Sequence, residues 1–168
     1  NKNQKIRYFI NKDKEFYDTE EYKKGYVIGS IEGDGYISFR KNSKGTDYGV
    51  GLEVTDQEFR DTFYSFLKDK LIGLKLRERQ PKYPGSKREY IAKSSYRKDH
   101  DYMLKLAKYK NFTNKEWCRG YLAGMFDSEG EANKGCIRIS NKNEEIINNI
   151  KTILQKFDFK WGEYVRRD

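Results

Sequence analysis

The segment GYVIGSIEGDG, residues 25–35, returns later in the chain as GYLAGMFDSEG, residues 120–130. Gly25, Tyr26, Gly29 and Gly35 recur as Gly120, Tyr121, Gly124 and Gly130, and Glu32 and Asp34 recur with retained charge as Asp127 and Glu129. The chain therefore reads as an internal duplication. In each copy small residues fall at every fourth position, Gly25, Gly29 and Gly33 in one, Gly120, Gly124 and Ser128 in the other, which lines them along one helix face. A glycine inside a helix costs about 1 kcal/mol relative to alanine. Several in two short helices imply a gain from close backbone contact, so the two repeated helices are expected to pack against each other, the first capped by Asp18 or Thr19.

Outward from each helix the pattern changes to alternation. YISFR and YGVGLEV read as strands after the first copy and CIRIS after the second. An amphipathic helix follows in both, with Phe59, Phe63, Phe66 and Leu67, then Ile146, Ile150, Ile153 and Leu154, at helical spacing and expected in the core. The first copy continues through LKLRER, a turn at Pro81–Gly85, the strand REYIAK and a helix near 99–108. The second reaches WGEYVRRD where its third strand is expected. The fold class is α+β, with Leu74 and Leu76 on the core side of a strand whose other side carries Lys75, Arg77 and Arg79.

If the repeated helices pair in parallel, their C-terminal ends meet and bring Glu32, Asp34, Asp127 and Glu129 together. Carboxylates at a helix C-terminus are opposed by the helix dipole and by one another. A divalent cation relieves that, and hard oxygen donors without Cys or His select Mg2+ or a similar ion such as Mn2+. Ser38, Arg40, Asn42, Glu53, Lys75, Arg77, Arg79, Glu89, Lys93 and Arg138 lie at strand positions expected to face outward, a mixture suited to phosphates and base edges of double-stranded DNA. The net charge of +9 agrees with a polyanionic partner.

With these residues in view, VIGSIEGDG (27–35) and LAGMFDSEG (122–130) resemble the two signature motifs of the LAGLIDADG homing endonucleases. The resemblance implies two αββαββα halves about a pseudo-twofold axis, each with an antiparallel sheet on DNA, the second half shortened. It divides the chain into an extension at 1–17, a first half at 18–115 and a second at 116–168. It implies that Asp34 and Glu129 hold divalent metal with the carbonyls of Gly33 and Ser128, and that Glu32 and Asp127 end the helices. It also gives catalytic roles to Asp56 and Asn141, which follow the second strand of each half, and to Lys115 before the second motif, with Lys110 close by. The early end of the second half reads as a reduced copy, a fragment or half of a split enzyme, so the monomer expected here would need a further C-terminal piece.

What remains is exclusion. Two cysteines, Cys118 and Cys136, and the single His100 are too few for a four-ligand zinc site and read as reduced thiols and a lone imidazole. No apolar run is long enough for a membrane span and no secretory signal is visible, so an intracellular protein of a bacterial or phage cytoplasm or an organelle is expected. The function expected is site-specific double-strand cleavage of DNA for a mobile intron or intein; the alternative is a non-cleaving nucleic-acid binder such as an intron RNA-splicing maturase.

Overall fold

The structure, a computed structural model, describes residues 19–43, 45–81, 83–133 and 136–164. The extension at 1–17, Asp18 and the last four residues lie outside the described residues. Five helices and six strands run in the order α1 (Glu20–Gly33), β1 (Gly35–Asn42), β2 (Gly45–Val54), α2 (Gln57–Leu67), β3 (Lys75–Arg79), β4 (Glu89–Ser94), α3 (Arg97–Ala107), α4 (Lys115–Glu129), β5 (Gly130–Asn133), β6 (Cys136–Ile139) and α5 (Glu144–Lys156). The first copy is αββαββα; the described part of the second is αββα.

Side-chain caps open four of the five helices, all but α3. Thr19 accepts from the Tyr22 N–H to open α1, Asn114 accepts from Glu116 and Trp117 to open α4, and Asn143 accepts from Glu145 to open α5. Asp56 opens α2 by accepting from Phe59 N–H at 3.1 Å. The strands β1-β2-β4-β3 form one antiparallel sheet and β5-β6 a second, two-stranded one.

The repeated helices pack as expected. A methyl group at Gly25 or Gly29 would be driven into the backbone carbonyl of Trp117 or Tyr121, and one at Gly120 or Gly124 into that of Tyr22 or Tyr26. Below this seam Val50, Leu52 and Phe63 from the first half join Trp117, Tyr121, Met125 and Ile153 from the second in one core.

Three expectations need correction. Leu76 is 42% exposed, because β3 is the edge strand and no helix covers it, although Leu74 just before it is buried. Phe66 and Leu154 are half-buried at the margin of the core, the Phe66 ring edge-on to Tyr22 and Tyr26. No strand forms over 159–164; instead Lys151 holds that segment through the Trp161 ring and Glu163.

Candidate active site

Both motif helices finish on acids with no basic residue in the last turn. Asp34 is the C-cap of α1 and Glu129 the last residue of α4. The helix ends also lie against each other, since a side chain at Gly33 would collide with the Ser128 side chain and approach Glu129 Cγ to 3.3 Å. Desolvation pushes the Glu129 carboxyl above its usual range, and the Asp34 charge pushes it further. Partial desolvation also raises Asp34, which opens to solvent. Two carboxyls with weakened hold on their charge, side by side at two dipole-negative helix ends, form a site that gains from a cation.

The four acids do not gather into one cluster. Glu32 and Asp127 turn away into the seam, where Tyr121 OH donates to Glu32 at 2.5 Å and Tyr26 OH donates to Asp127 at 2.6 Å. Each recurring tyrosine thus crosses to the other helix and fixes the register of the pair. Burial, reinforced by the facing carboxylate, raises both phenols and keeps them as donors. Tyr26→Phe or Tyr121→Phe is expected to cost about 1 to 3 kcal/mol of unfolding free energy in urea, the value of a hydrogen bond to a charged group.

Lys110, in the loop between α3 and α4, binds Glu32 at 2.6 Å and Glu145 at 3.3 Å. Burial alone would lower its pKa, but these two carboxylates outweigh burial and raise it. Lys115 sits elsewhere. It is exposed at the start of the 15-residue α4, about 21 Å of helix from Glu129. The role assigned to it from the resemblance is therefore corrected, because a side chain cannot span that distance. Asn141 Nδ2 lies 3.4 Å from Glu129 Oε1. Asp56 is occupied in capping α2 and lies toward Asp127, which desolvation raises first and the charges of Asp56 and Glu58 raise further.

The donor set fits a divalent ion with hard ligands. Among the described residues no three acidic, His or Cys groups converge on a point, so an ion would be held by Asp34, Glu129, the Gly33 and Ser128 carbonyls, water and substrate oxygens. Mg2+ is commonly bound that way, through one or two carboxylates and substrate phosphate.

The protonation states give a test. The folded chain holds the Asp34 and Glu129 protons more tightly than the unfolded chain. Each ionised carboxyl is thus destabilising above its folded pKa, and the penalty fades as pH falls toward the ordinary carboxylate value of about 4. In metal-free buffer the double variant Asp34→Asn/Glu129→Gln is expected to melt above the wild type at neutral pH, with the gap closing on acidification. A gap that ignores pH would contradict the assignment.

The strand residues selected from the sequence share one face. Across the large sheet the register pairs Ser38 with Gly49, Arg40 with Asp47, Lys93 with Gly51 and Lys75, Glu53 and Arg77 with Ile91, and Arg79 with Glu89. Asn42, on the same side, donates to Asp47 at 2.6 Å. Arg138, on the small sheet, is paired with Glu131 and bonds it at 3.1 Å. Asp47 and Tyr36 belong to this face and were not selected, although Tyr36 stands two residues before Ser38 in the same alternation.

Residues 116–168 match the family model described as a LAGLIDADG-like domain. No curated protein sequence matches the chain significantly. Among solved structures, I-DmoI in complex with DNA and Ca aligns with a TM-score of 0.68 at 16% identity, covering 84% of this chain and 74% of that one. I-DmoI in complex with DNA and Mn aligns at 0.66 and 18%, covering 82% and 78%. The N-terminal LAGLIDADG domain of DUF199/WhiA aligns at 0.64 and 14%, covering 90% and 73%.

Proposed function

We propose that this chain, which has the α+β fold of the LAGLIDADG homing endonucleases, is a site-specific double-strand DNA endonuclease dependent on Mg2+ or Mn2+. The observation that carries the reading is the pair Asp34 and Glu129, brought to the meeting point of two helices whose other terminal acids are held by tyrosine hydroxyls and, at Glu32, by Lys110 as well. The halves are taken as 18–115 and 116–168, acting as a monomer inside the cell in the service of a mobile intron or intein. Among the described residues no helix is long and apolar enough to cross a membrane.

Asp34 and Glu129, with the Gly33 and Ser128 carbonyls, would hold the ions at the crossing. Bound divalent ions supply Lewis acidity toward a phosphodiester and lower the pKa of coordinated water. The outward strand face positions the duplex so that one scissile phosphate lies against each acid. Asn141, which donates to Glu129, would orient the attacking water on its side. Hydrolysis then forms a bond from water oxygen to phosphorus and breaks the bond to the leaving sugar oxygen, which takes up a proton; no enzyme group is covalently modified.

The polyanion part is tested by salt. Lys75 and Lys93 face each other on the outward side, and among the described residues no carboxylate pairs with either. Each phosphate contact contributes about 0.9 to the slope of log affinity against log salt. Lys75→Ala and Lys93→Ala are each expected to flatten that slope by about that amount on a fixed duplex. Incubating the chain with a randomised duplex library in Mg2+ and sequencing the cut ends tests the function as a whole.

A further inference from the structure

The outward face of the large sheet contains two different kinds of cation. Lys75, Lys93 and Arg77 have no carboxylate partner among the described residues, whereas Arg79 bonds Glu89 at 2.5 Å directly across the ladder and Glu53 at 3.4 Å one strand further on. Tyr36 lies on the same face near Glu53, and burial first and the Glu53 charge next raise its phenol. The tyrosine can lie flat across β2 because Gly49 has no side chain; a Cβ there would come within 3.3 Å of the ring and 2.8 Å of Ser38 Oγ. Beneath Glu53 and Arg77 the register places Ile91, only 3% exposed although it points to the outward side.

Stability does not account for this chain of contacts. The Arg79, Glu53 and Glu89 side chains are 45%, 32% and 42% exposed, and ion pairs this open add little to stability. Phosphate binding does not account for it either, since two carboxylates around one guanidinium leave a local net charge of one minus. The groups do suit a base edge. A guanidinium held in place donates in bidentate fashion to guanine, a carboxylate accepts from the cytosine amino group, and neither carboxylate tolerates a phosphate beside it.

We infer that Tyr36, Glu53, Arg79 and Glu89 form a base-reading element of the large sheet, Arg79 and Glu53 touching base edges in the major groove and Tyr36 and Glu89 positioning them, while the unpaired Lys75 and Lys93 carry backbone contacts. This rests on the reading of the chain as a duplex DNA binder. The acids act as selectors: they weaken attachment to any duplex so that attachment depends on the right base pair.

The test is binding selection from a randomised duplex library in EDTA, with wild type, Glu53→Gln, Arg79→Ala and Tyr36→Phe, alongside thermal melts. Each variant should melt with the wild type, yet lose base preference at the same one or two adjacent positions of the enriched site. Discrimination there should fall roughly tenfold. Glu53→Gln should bind unselected duplex more tightly than wild type. Arg79→Ala should leave the salt slope of unselected duplex unchanged, in contrast to Lys75→Ala. A wild type that enriches a site which all three variants retain, with Arg79→Ala flattening the slope, overturns this element alone and makes Arg79 a phosphate contact. A wild type that enriches nothing overturns the DNA-binding reading together with it.

Discussion

Asp34→Asn and Glu129→Gln should each reduce duplex cleavage by roughly three orders of magnitude, the scale on which removing a charge-stabilising group from a hydrolytic site acts. Affinity for the same duplex should stay within about twofold of wild type, since the strands that contact it carry their own charges. Stability should hold or rise, because each substitution removes a desolvated negative charge from a helix C-terminus. Glu32→Gln is the informative contrast. Glu32 sits two residues before Asp34 on the same helix and is bound by Tyr121 and Lys110, so its loss should lower stability and leave most of the cleavage. Added Mg2+ or Mn2+ should raise the melting temperature of wild type and of Glu32→Gln, but not of the Asp34→Asn/Glu129→Gln double variant. Identical behaviour of all three acids would mean that they merely end helices.

Gly29→Ala and Gly124→Ala, like the same change at Gly25 and Gly120, should be among the most damaging single-methyl changes in the protein. Helix propensity by itself favours alanine by about 1 kcal/mol. At these positions the added carbon meets the main-chain carbonyls of Tyr121 and Tyr26, and backbone in the middle of a packed helix cannot move aside as a side-chain end can. The steric term wins, with an expected loss of about 3 kcal/mol or more at each site. For a domain whose whole stability is about 5 to 15 kcal/mol, that is a large shift in the urea midpoint. Gly162→Ala, with nothing within 4 Å of the new carbon, should be silent. Loss of the helix seam should also separate Asp34 from Glu129, so cleavage should fall with stability in the two seam variants.

Much of this was legible in the residues because duplication supplies its own control. Four-residue spacing of Gly25 and Gly29, repeated at Gly120 and Gly124, can be read as a helix seam without any structure. The acids at the two helix ends could be read as well, whereas their division came from the family resemblance and not from spacing. Glu32 and Asp127 are separated from Asp34 and Glu129 only by the cross-helix hydroxyls of Tyr121 and Tyr26, which sequence spacing cannot show. Lys115 was misplaced because nearness to the second motif in sequence is distance along a rigid helix, whereas Lys110, on the preceding loop, folds back to Glu32. Alternation failed at one edge residue and one interior residue of the sheet. Leu76 is exposed because edge strand β3 has no helix over it, and Ile91 is buried on the outward side among long polar side chains. Asp56 shows a different ambiguity, since a helix N-cap and a catalytic carboxylate have the same one-letter signature.

The most direct test of the central claim is a two-strand cleavage assay on a duplex that the wild-type chain itself selects, run with Mg2+ and with EDTA. The account predicts cuts in both strands at one position each in Mg2+, none in EDTA, and binding in both. Binding of the selected duplex with both strands intact in Mg2+ and Mn2+ would contradict it and leave the chain a DNA-binding protein on an endonuclease fold.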